Sequence, residues 1–130
     1  MTRWLLAILL VTTLVGCAPA AATTPSVGVE AEQIAARAVW APGEWEEHFR
    51  KHPEGYRSAE EYDRGARETI RRGVRFTYRD SQSDAPRLGF YDRETNRFTA
   101  LTGDGRRITT HFRPDRGERY VRGLPGSTYR

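Results

Sequence analysis

Histidine is the side chain best suited to moving protons near neutral pH, and this 130-residue chain carries three: His48, His52 and His111. His48 and His52 stand four apart in Glu47-His48-Phe49-Arg50-Lys51-His52, so on a helix they share one face beside Lys51, the only lysine. Such a group holds a general base, a general acid and a cation for a phosphoryl oxygen. These are the parts needed to cleave RNA through its own 2′-hydroxyl without a metal. Each histidine also has a plainer reading. His48 could cover the Trp45 and Phe49 packing, and His52 could complement the dipole at a helix C-terminus.

A second group lies on one expected strand, where Arg107, Thr110, His111 and Arg113 follow each other closely. Alternation puts Ile108, Thr110 and Phe112 on one face and Arg107, Thr109, His111 and Arg113 on the other. Thr110 and His111 therefore meet in one groove only if a bulge intervenes. Thr110 is a site hydroxyl or a buried threonine near the helices, and His111 is a phosphate ligand or a solvated surface histidine. A zinc site from His48 and His52, completed by His111 or Glu44, lacks the His-Glu-x-x-His order because Glu47 precedes His48. Neither a metal nor a cofactor is expected.

The elements that must hold these groups are legible as periods. Helical spacing is expected over residues 30–39, where Ile34, Ala35 and Ala38 share a face, and over 44–52 around Trp45 and Phe49. Ser58-Ala59-Glu60-Glu61 opens a third helix with a capping box, its stripe is Ala59, Tyr62, Ala66 and Ile70, and Gly73 stops it. Strand patterns then occupy 74–78, 87–91, 97–102, 107–112 and 119–122, with turn chemistry at residues 92–96 and 103–105. Helices first and a meander after predict an α+β domain over residues 30–130, with N-terminal helices packed on one face of a roughly four-stranded antiparallel sheet.

Charge divides along the same line. From Glu30 to Thr69 ten acids face six bases, while from Ile70 onward fourteen arginines face seven acids. A basic C-terminal half suits a phosphate backbone, with Arg87, Arg107 and Arg113 as candidates to track it. It equally suits a solvated sheet that complements acidic helices.

The only cysteine, Cys17, ends Leu14-Val15-Gly16-Cys17 after an apolar run that follows Arg3, a pattern that resembles a bacterial lipobox. That resemblance implies a signal peptide over residues 1–16, a diacylglycerol on the Cys17 sulfur, and an extracytoplasmic, membrane-anchored protein. Residues 17–29 are mostly small, uncharged and broken by Pro19 and Pro25, and read as a tether. With its one thiol lipidated, the chain has no thiolate or disulfide for chemistry.

Four segments in order, H-F-x-K-H from His48, S-x-E-E-Y-x-x-x-A from Ser58, Y-D-x-x-T-N-x-F from Tyr91 and G-x-x-I-x-T-x-F-x-P from Gly105, resemble a family of small nucleases. These are the domains grouped with barnase, EndoU, colicin E5/D and RelE, found in phage proteins and polymorphic toxins. The resemblance implies metal-independent cleavage of RNA to a 2′,3′-cyclic phosphate, with RNA and an immunity protein as partners. Its motif positions fall on Lys51, His52, Tyr62, Tyr91, Asn96, Thr110 and Phe112, of which Tyr62, Asn96 and Phe112 are explained by packing or turn geometry. The expected site is therefore His52, Lys51, His48 and Thr110 for chemistry, with Arg87, Tyr91, Arg107, His111 and Arg113 around the phosphates. A non-catalytic surface lipoprotein that binds an anionic ligand or a protein partner is the alternative.

Anchoring through Cys17 rests on one sulfur, because each buried methylene of its lipid contributes about 0.8 kcal/mol. Cys17→Ser is expected to move the mature protein out of the membrane fraction or leave an unprocessed precursor. A processed, membrane-bound Cys17→Ser protein in a fractionation blot would refute the lipid anchor.

Overall fold

Nine elements follow one another along the described chain: α1 (Val27–Arg37), β1 (Val39–Trp40), α2 (Glu44–Lys51), α3 (Ala59–Arg72), β2 (Val74–Arg79), β3 (Pro86–Asp92), β4 (Arg97–Thr102), β5 (Arg107–Phe112) and α4 (Glu118–Arg122). The computed structural model describes residues 26–130, so the signal-like segment, Cys17 and most of the expected tether lie outside the described residues. α1 begins at Val27, three residues before the first expected helical position, and takes the end of the tether into the fold. Among the described residues no helix is long and apolar enough to cross a membrane.

The third helix starts as its sequence dictates. Ser58 Oγ accepts from the Glu61 amide at 3.1 Å, and the Glu61 carboxylate reaches back to the Arg57 amide at 2.9 Å. Tyr62, Ala66 and Ile70 are fully buried along its inner stripe, as the spacing requires. α1 docks beside it through Arg67, whose Nη1 donates to the carbonyls of Ala35 at 2.6 Å and Ala38 at 3.0 Å. Those are carbonyls that the end of α1 leaves without helical partners. Asp63 holds Arg67 in place with bonds to Nε and also accepts from Trp40 Nε1 at 2.9 Å.

The domain is α+β, and its four main strands form the expected antiparallel meander β2-β3-β4-β5. A fifth strand, β1, adds to the far edge parallel to β5, pairing Val39 with Arg107 and Trp40 with Ile108. Val39, expected to end the first helix, belongs instead to this strand with Trp40, because the pairing that makes it one comes from a segment nearly seventy residues away.

Both sheet faces are covered. On one, Ala35, Ala38 and Ile70 pack on Leu88, Phe90, Leu101 and Ile108. On the other, Phe76, Tyr91, Phe98 and Ala100 pack against Val121 and Tyr129 from the C-terminal segment. The run at residues 119–122, expected as a strand, is the helix α4. Four residues are too few to distinguish the two periods, and the burial of Val121 against the sheet decides for the helix.

After α4 the chain closes the outer edge of β2. The Thr128 amide donates to the Thr77 carbonyl at 3.0 Å and the Arg79 amide to the Pro125 carbonyl at 2.7 Å, so backbone groups that would otherwise template aggregation are occupied. Tyr129 anchors this segment: the guanidinium carbons of Arg93 and Arg122 lie 5.5 Å and 5.1 Å from its ring centre, and its hydroxyl accepts from Arg93 Nε at 2.7 Å. Tyr129→Ala is expected to cost about 3 kcal/mol, the usual loss for a buried aromatic. Urea unfolding followed by fluorescence measures it, and a loss below about 1 kcal/mol would show that the C-terminal segment is not part of the core.

Candidate active site

One added residue in β5 decides which side chains reach the surface on which face. Leu101 pairs with Ile108 and Ala100 with Thr110, so Thr109 has no partner of its own and forms a bulge, its hydroxyl donating to the Ala100 carbonyl at 3.1 Å. Simple alternation is broken here. Ile108 and His111 both turn under the helices and are fully buried, while Thr110 and Phe112 face the side of the sheet that carries α4.

His111 is consequently neither a phosphate ligand nor a solvated histidine. Thr99 Oγ1 donates its one proton to the Ala66 carbonyl at 3.1 Å, so it must accept from His111 Nδ1–H at 2.8 Å. That leaves Nε2 as an acceptor, and Tyr56 fills it with its hydroxyl at 3.0 Å. Tyr62 bonds the His111 carbonyl through its own hydroxyl. Burial keeps the Tyr56 phenol protonated and able to donate. Tyr56 reaches the ring only because residue 65 is glycine: a Cβ there would lie 1.9 Å from the Tyr56 oxygen. Arg97 covers the outer face of Tyr56, its guanidinium carbon 4.2 Å from the ring centre.

Above Thr110 an open cleft of about 630 Å³ runs between the end of α2 and the segment after β5. His48 and His52 enter from the helix, Thr110 and Phe112 from β5, Arg113 and Arg116 from the segment that follows, and Tyr120 from α4. Glu54 joins from the turn after α2. That turn is tied from two directions, since the Arg113 amide donates to Glu54 Oε2 at 3.2 Å and Arg97 Nη2 to the Glu54 carbonyl at 3.2 Å. The bonds hold Glu54 at a φ of 52°, an uncommon region for a residue with a side chain. They also fix the end of α2, and with it both imidazoles, over the end of β5.

The two imidazoles have different surroundings. His48 is half-buried with its ring 5.6 Å from that of Trp40, and desolvation lowers its pKa, with Glu44 opposing and His52 and Lys51 adding to the drop. It is therefore neutral at pH 7 and able to take a proton. His52 is exposed at the rim, and its backbone amide caps the helix on the His48 carbonyl at 2.8 Å. Burial raises the pKa of the Tyr120 phenol, with Arg116 opposing, so it remains a neutral donor.

Other expected residues lie elsewhere. Lys51 is exposed and bound to Glu47 at 2.6 Å, off the cleft lining. Tyr91 is buried, its hydroxyl donating to Asn96 Oδ1 at 2.9 Å, and Asn96 in turn donates to the Pro114 carbonyl at 3.1 Å; this chain shapes the turn behind the cleft. Arg107 is exposed on β5 opposite Val39, at the edge that β1 closes. Arg87 lines a neighbouring hollow rather than the cleft. Sequence reasoning missed Glu54, Arg116 and Tyr120. The only available signal was the turn chemistry of Pro53-Glu54-Gly55 and Pro114-Asp115-Arg116-Gly117, which marks loops without saying where they fold back.

Among the described residues no three His, Cys, Asp or Glu side chains gather as a metal ion requires, and both ring nitrogens of His111 are already engaged. No protein-family model, no curated protein and no solved structure matches this chain.

The buried imidazole makes stability depend on pH. Burial first and the Arg97 charge second push the His111 pKa down to about 3, against an ordinary value of 6.5. Between those values the unfolded chain binds a proton that the folded one refuses, so stability is complete above about pH 6.5 and falls as the pH drops toward 3. At up to about 1.4 kcal/mol per pH unit, lowering the pH from 6.5 to 5 should remove about 2 kcal/mol from the wild type but not from His111→Gln. Denaturant midpoints across that range are the measurement, and parallel curves for the two proteins would refute the buried neutral ring.

Proposed function

We propose that this chain is a metal-independent ribonuclease-like domain, of the barnase, EndoU, colicin and RelE type that its motifs resemble, carried on a lipid anchor at Cys17. The observation that supports the reading is the cleft: the imidazoles of His48 in α2 and of His52 just after it line one open groove with Thr110 from β5 and two arginines, Arg113 and Arg116. Residues more than fifty positions apart converge there with the types that 2′-hydroxyl attack on a phosphate demands.

In this mechanism neutral His48 accepts the proton of the ribose 2′-hydroxyl as its oxygen bonds to phosphorus. The bond from phosphorus to the 5′-oxygen breaks, and His52 returns a proton to that oxygen. The products are a 2′,3′-cyclic phosphate and a 5′-hydroxyl. Arg113 and Arg116 neutralise the phosphoryl oxygens as charge builds on them, and the Thr110 and Tyr120 hydroxyls donate to them. RNA is the substrate, a toxin-type role with an immunity partner is the setting, and the anchor places the domain on the extracytoplasmic side of a bacterial membrane.

One observation favours a binding role for the same groove. Lys51, the expected charge stabiliser, is held by Glu47 outside the cleft, which leaves the arginines better placed to hold an anion than to assist its cleavage. RNA bound in a salt-dependent manner and left intact would select that role.

His48→Ala and His52→Ala are each expected to slow cleavage of single-stranded RNA by about a hundredfold or more, the usual contribution of a general acid or base. EDTA leaves the rate unchanged, and the pH profile is bell-shaped. Cyclic-phosphate ends are scored by mass spectrometry on the full chain in detergent. Full activity in both variants would remove α2 from the chemistry, and loss of activity in EDTA would replace this mechanism with a metal-dependent one.

A further inference from the structure

A hollow of about 310 Å³ opens at the other end of α2 and shares no lining residue with the cleft. β1 and the turn after it supply Val39, Trp40 and Pro42, α2 supplies Trp45, and α3 supplies Asp63 and Arg67. Both tryptophans among the described residues are here. Trp40 is a fixed wall: its Nε1–H donates to Asp63 Oδ1 at 2.9 Å, and Tyr62 and His48 back its ring at 5.9 Å and 5.6 Å between centres. Trp45 is half-buried, yet among the described residues no aromatic ring packs on it and no acceptor meets its Nε1–H.

Beside the indoles stands a carboxylate and guanidinium pair held in place by the core. Arg67 Nε donates to Asp63 Oδ2 at 2.9 Å and Oδ1 at 3.1 Å, and Arg67 Nη1 is spent on the Ala35 and Ala38 carbonyls. Arg67 Nη2 has no such partner, and Asp63 Oδ2 accepts from Arg67 alone. Among the described residues the one sealed-in side-chain polar atom without a partner is Arg97 Nη1, so the unspent donors of Arg67 and Trp45 are open to a ligand. The pair is neutral overall, which gives a phosphate or a cationic peptide no net charge to meet. An added peptide strand gains little as well, because β1 has two residues before Pro42 and only Trp40 turns its backbone N–H and C=O away from β5. A pyranose meets these walls better: its C–H groups form an apolar face for an indole, while its hydroxyls both donate and accept. An acetamido substituent adds a methyl group for the second indole. Its planar trans amide sends N–H and C=O in opposite directions, toward an acceptor and a donor on different elements.

We infer that this hollow binds a neutral glycan that carries N-acetylated amino sugars. The acetamido N–H donates to Asp63 Oδ2, its carbonyl accepts from Trp45 Nε1–H, and a ring hydroxyl accepts from Arg67 Nη2. Trp40 and Trp45 take the apolar faces of the sugar and its methyl group. The inference goes beyond the cleavage reading and does not depend on it, since hollow and cleft have separate linings.

The full chain, in a detergent that carries no sugar, is titrated with chitohexaose, with cellohexaose, which has a hydroxyl where each acetamido group stands, and with N-acetyl-trialanine amide. Calorimetry reads the affinity, and tryptophan emission reports on Trp40 and Trp45. Chitohexaose is expected to bind about tenfold tighter than cellohexaose and to shift the emission to the blue, as an acetamide bonded against an aromatic wall should. Trp45→Ala should weaken chitohexaose binding by about tenfold or more. Should Trp45→Ala fail to fold, Trp45→Phe carries the test: it keeps a ring and removes the N–H, so the preference for chitohexaose should fall by about fivefold, one hydrogen bond's usual contribution, with cellohexaose affinity unchanged. No binding of either sugar, or equal affinity for both, overturns the glycan site. Chitohexaose binding that is as tight in the Trp45 variants as in the wild type also overturns it. N-acetyl-trialanine amide bound as tightly as chitohexaose would replace the glycan with a peptide.

Discussion

The Thr109 bulge is the constraint on which the rest of the arrangement depends. A regular β5 would carry Ile108 and Thr110 to one face and His111 to the other, so burying Ile108 under the helices would expose His111 and bury Thr110. The added residue lets β5 place Ile108 and His111 together against α3 and release Thr110 and Phe112 to the α4 side. The cost is one unpaired strand position, partly offset by the Thr109 hydroxyl on the Ala100 carbonyl. In return, a fully bonded imidazole ties β4, β5, α3 and the Tyr56 turn into one unit.

That unit explains why the cleft has defined walls. Tyr56 reaches His111 through the gap at Gly65, Arg97 lies on Tyr56, and the same Arg97 holds the Glu54 carbonyl. The chain of contacts fixes the turn after α2, an eight-residue helix with no fully buried residue of its own. A helix that buries so little gains its position from neighbours rather than from its own core. The opposite wall comes from the C-terminal segment, which fills the second face of the sheet with Val121 and Tyr129 and brings Tyr120 to the groove. Core and cleft are therefore built from the same segments.

The charge division is partly absorbed by the fold. Arg75 pairs with Glu30 at 2.5 Å and Arg71 with Glu32 at 2.8 Å, which joins the basic half to the acidic first helix. Exposed pairs of this kind contribute about 0–1 kcal/mol each, so they orient more than they stabilise. Arg113 and Arg116 are different, because they line the cleft where an anion would meet them. These two positions set the charge of the cleft more directly than the net charge of the basic half does.

Much of the architecture could be read from local signals. The Ser58 capping box, the inner stripe of α3 and the hairpin turns all act over a few residues, and the α+β class with its antiparallel meander follows from them. His48 and His52 share the cleft as helical spacing suggests, but simple alternation puts Thr110 and Arg113 on opposite faces of β5, and only the bulge and the segment after it bring both to the cleft lining. The tertiary structure decided the rest. β1 is a strand only because β5 pairs with it, residues 119–122 are a helix only because Val121 meets the sheet, and His111 is buried only because Thr109 shifts the register. Each of these outcomes depends on a partner distant in sequence. The period of a short segment fixes which residues alternate, but the burial that long-range pairing offers fixes which face they turn to.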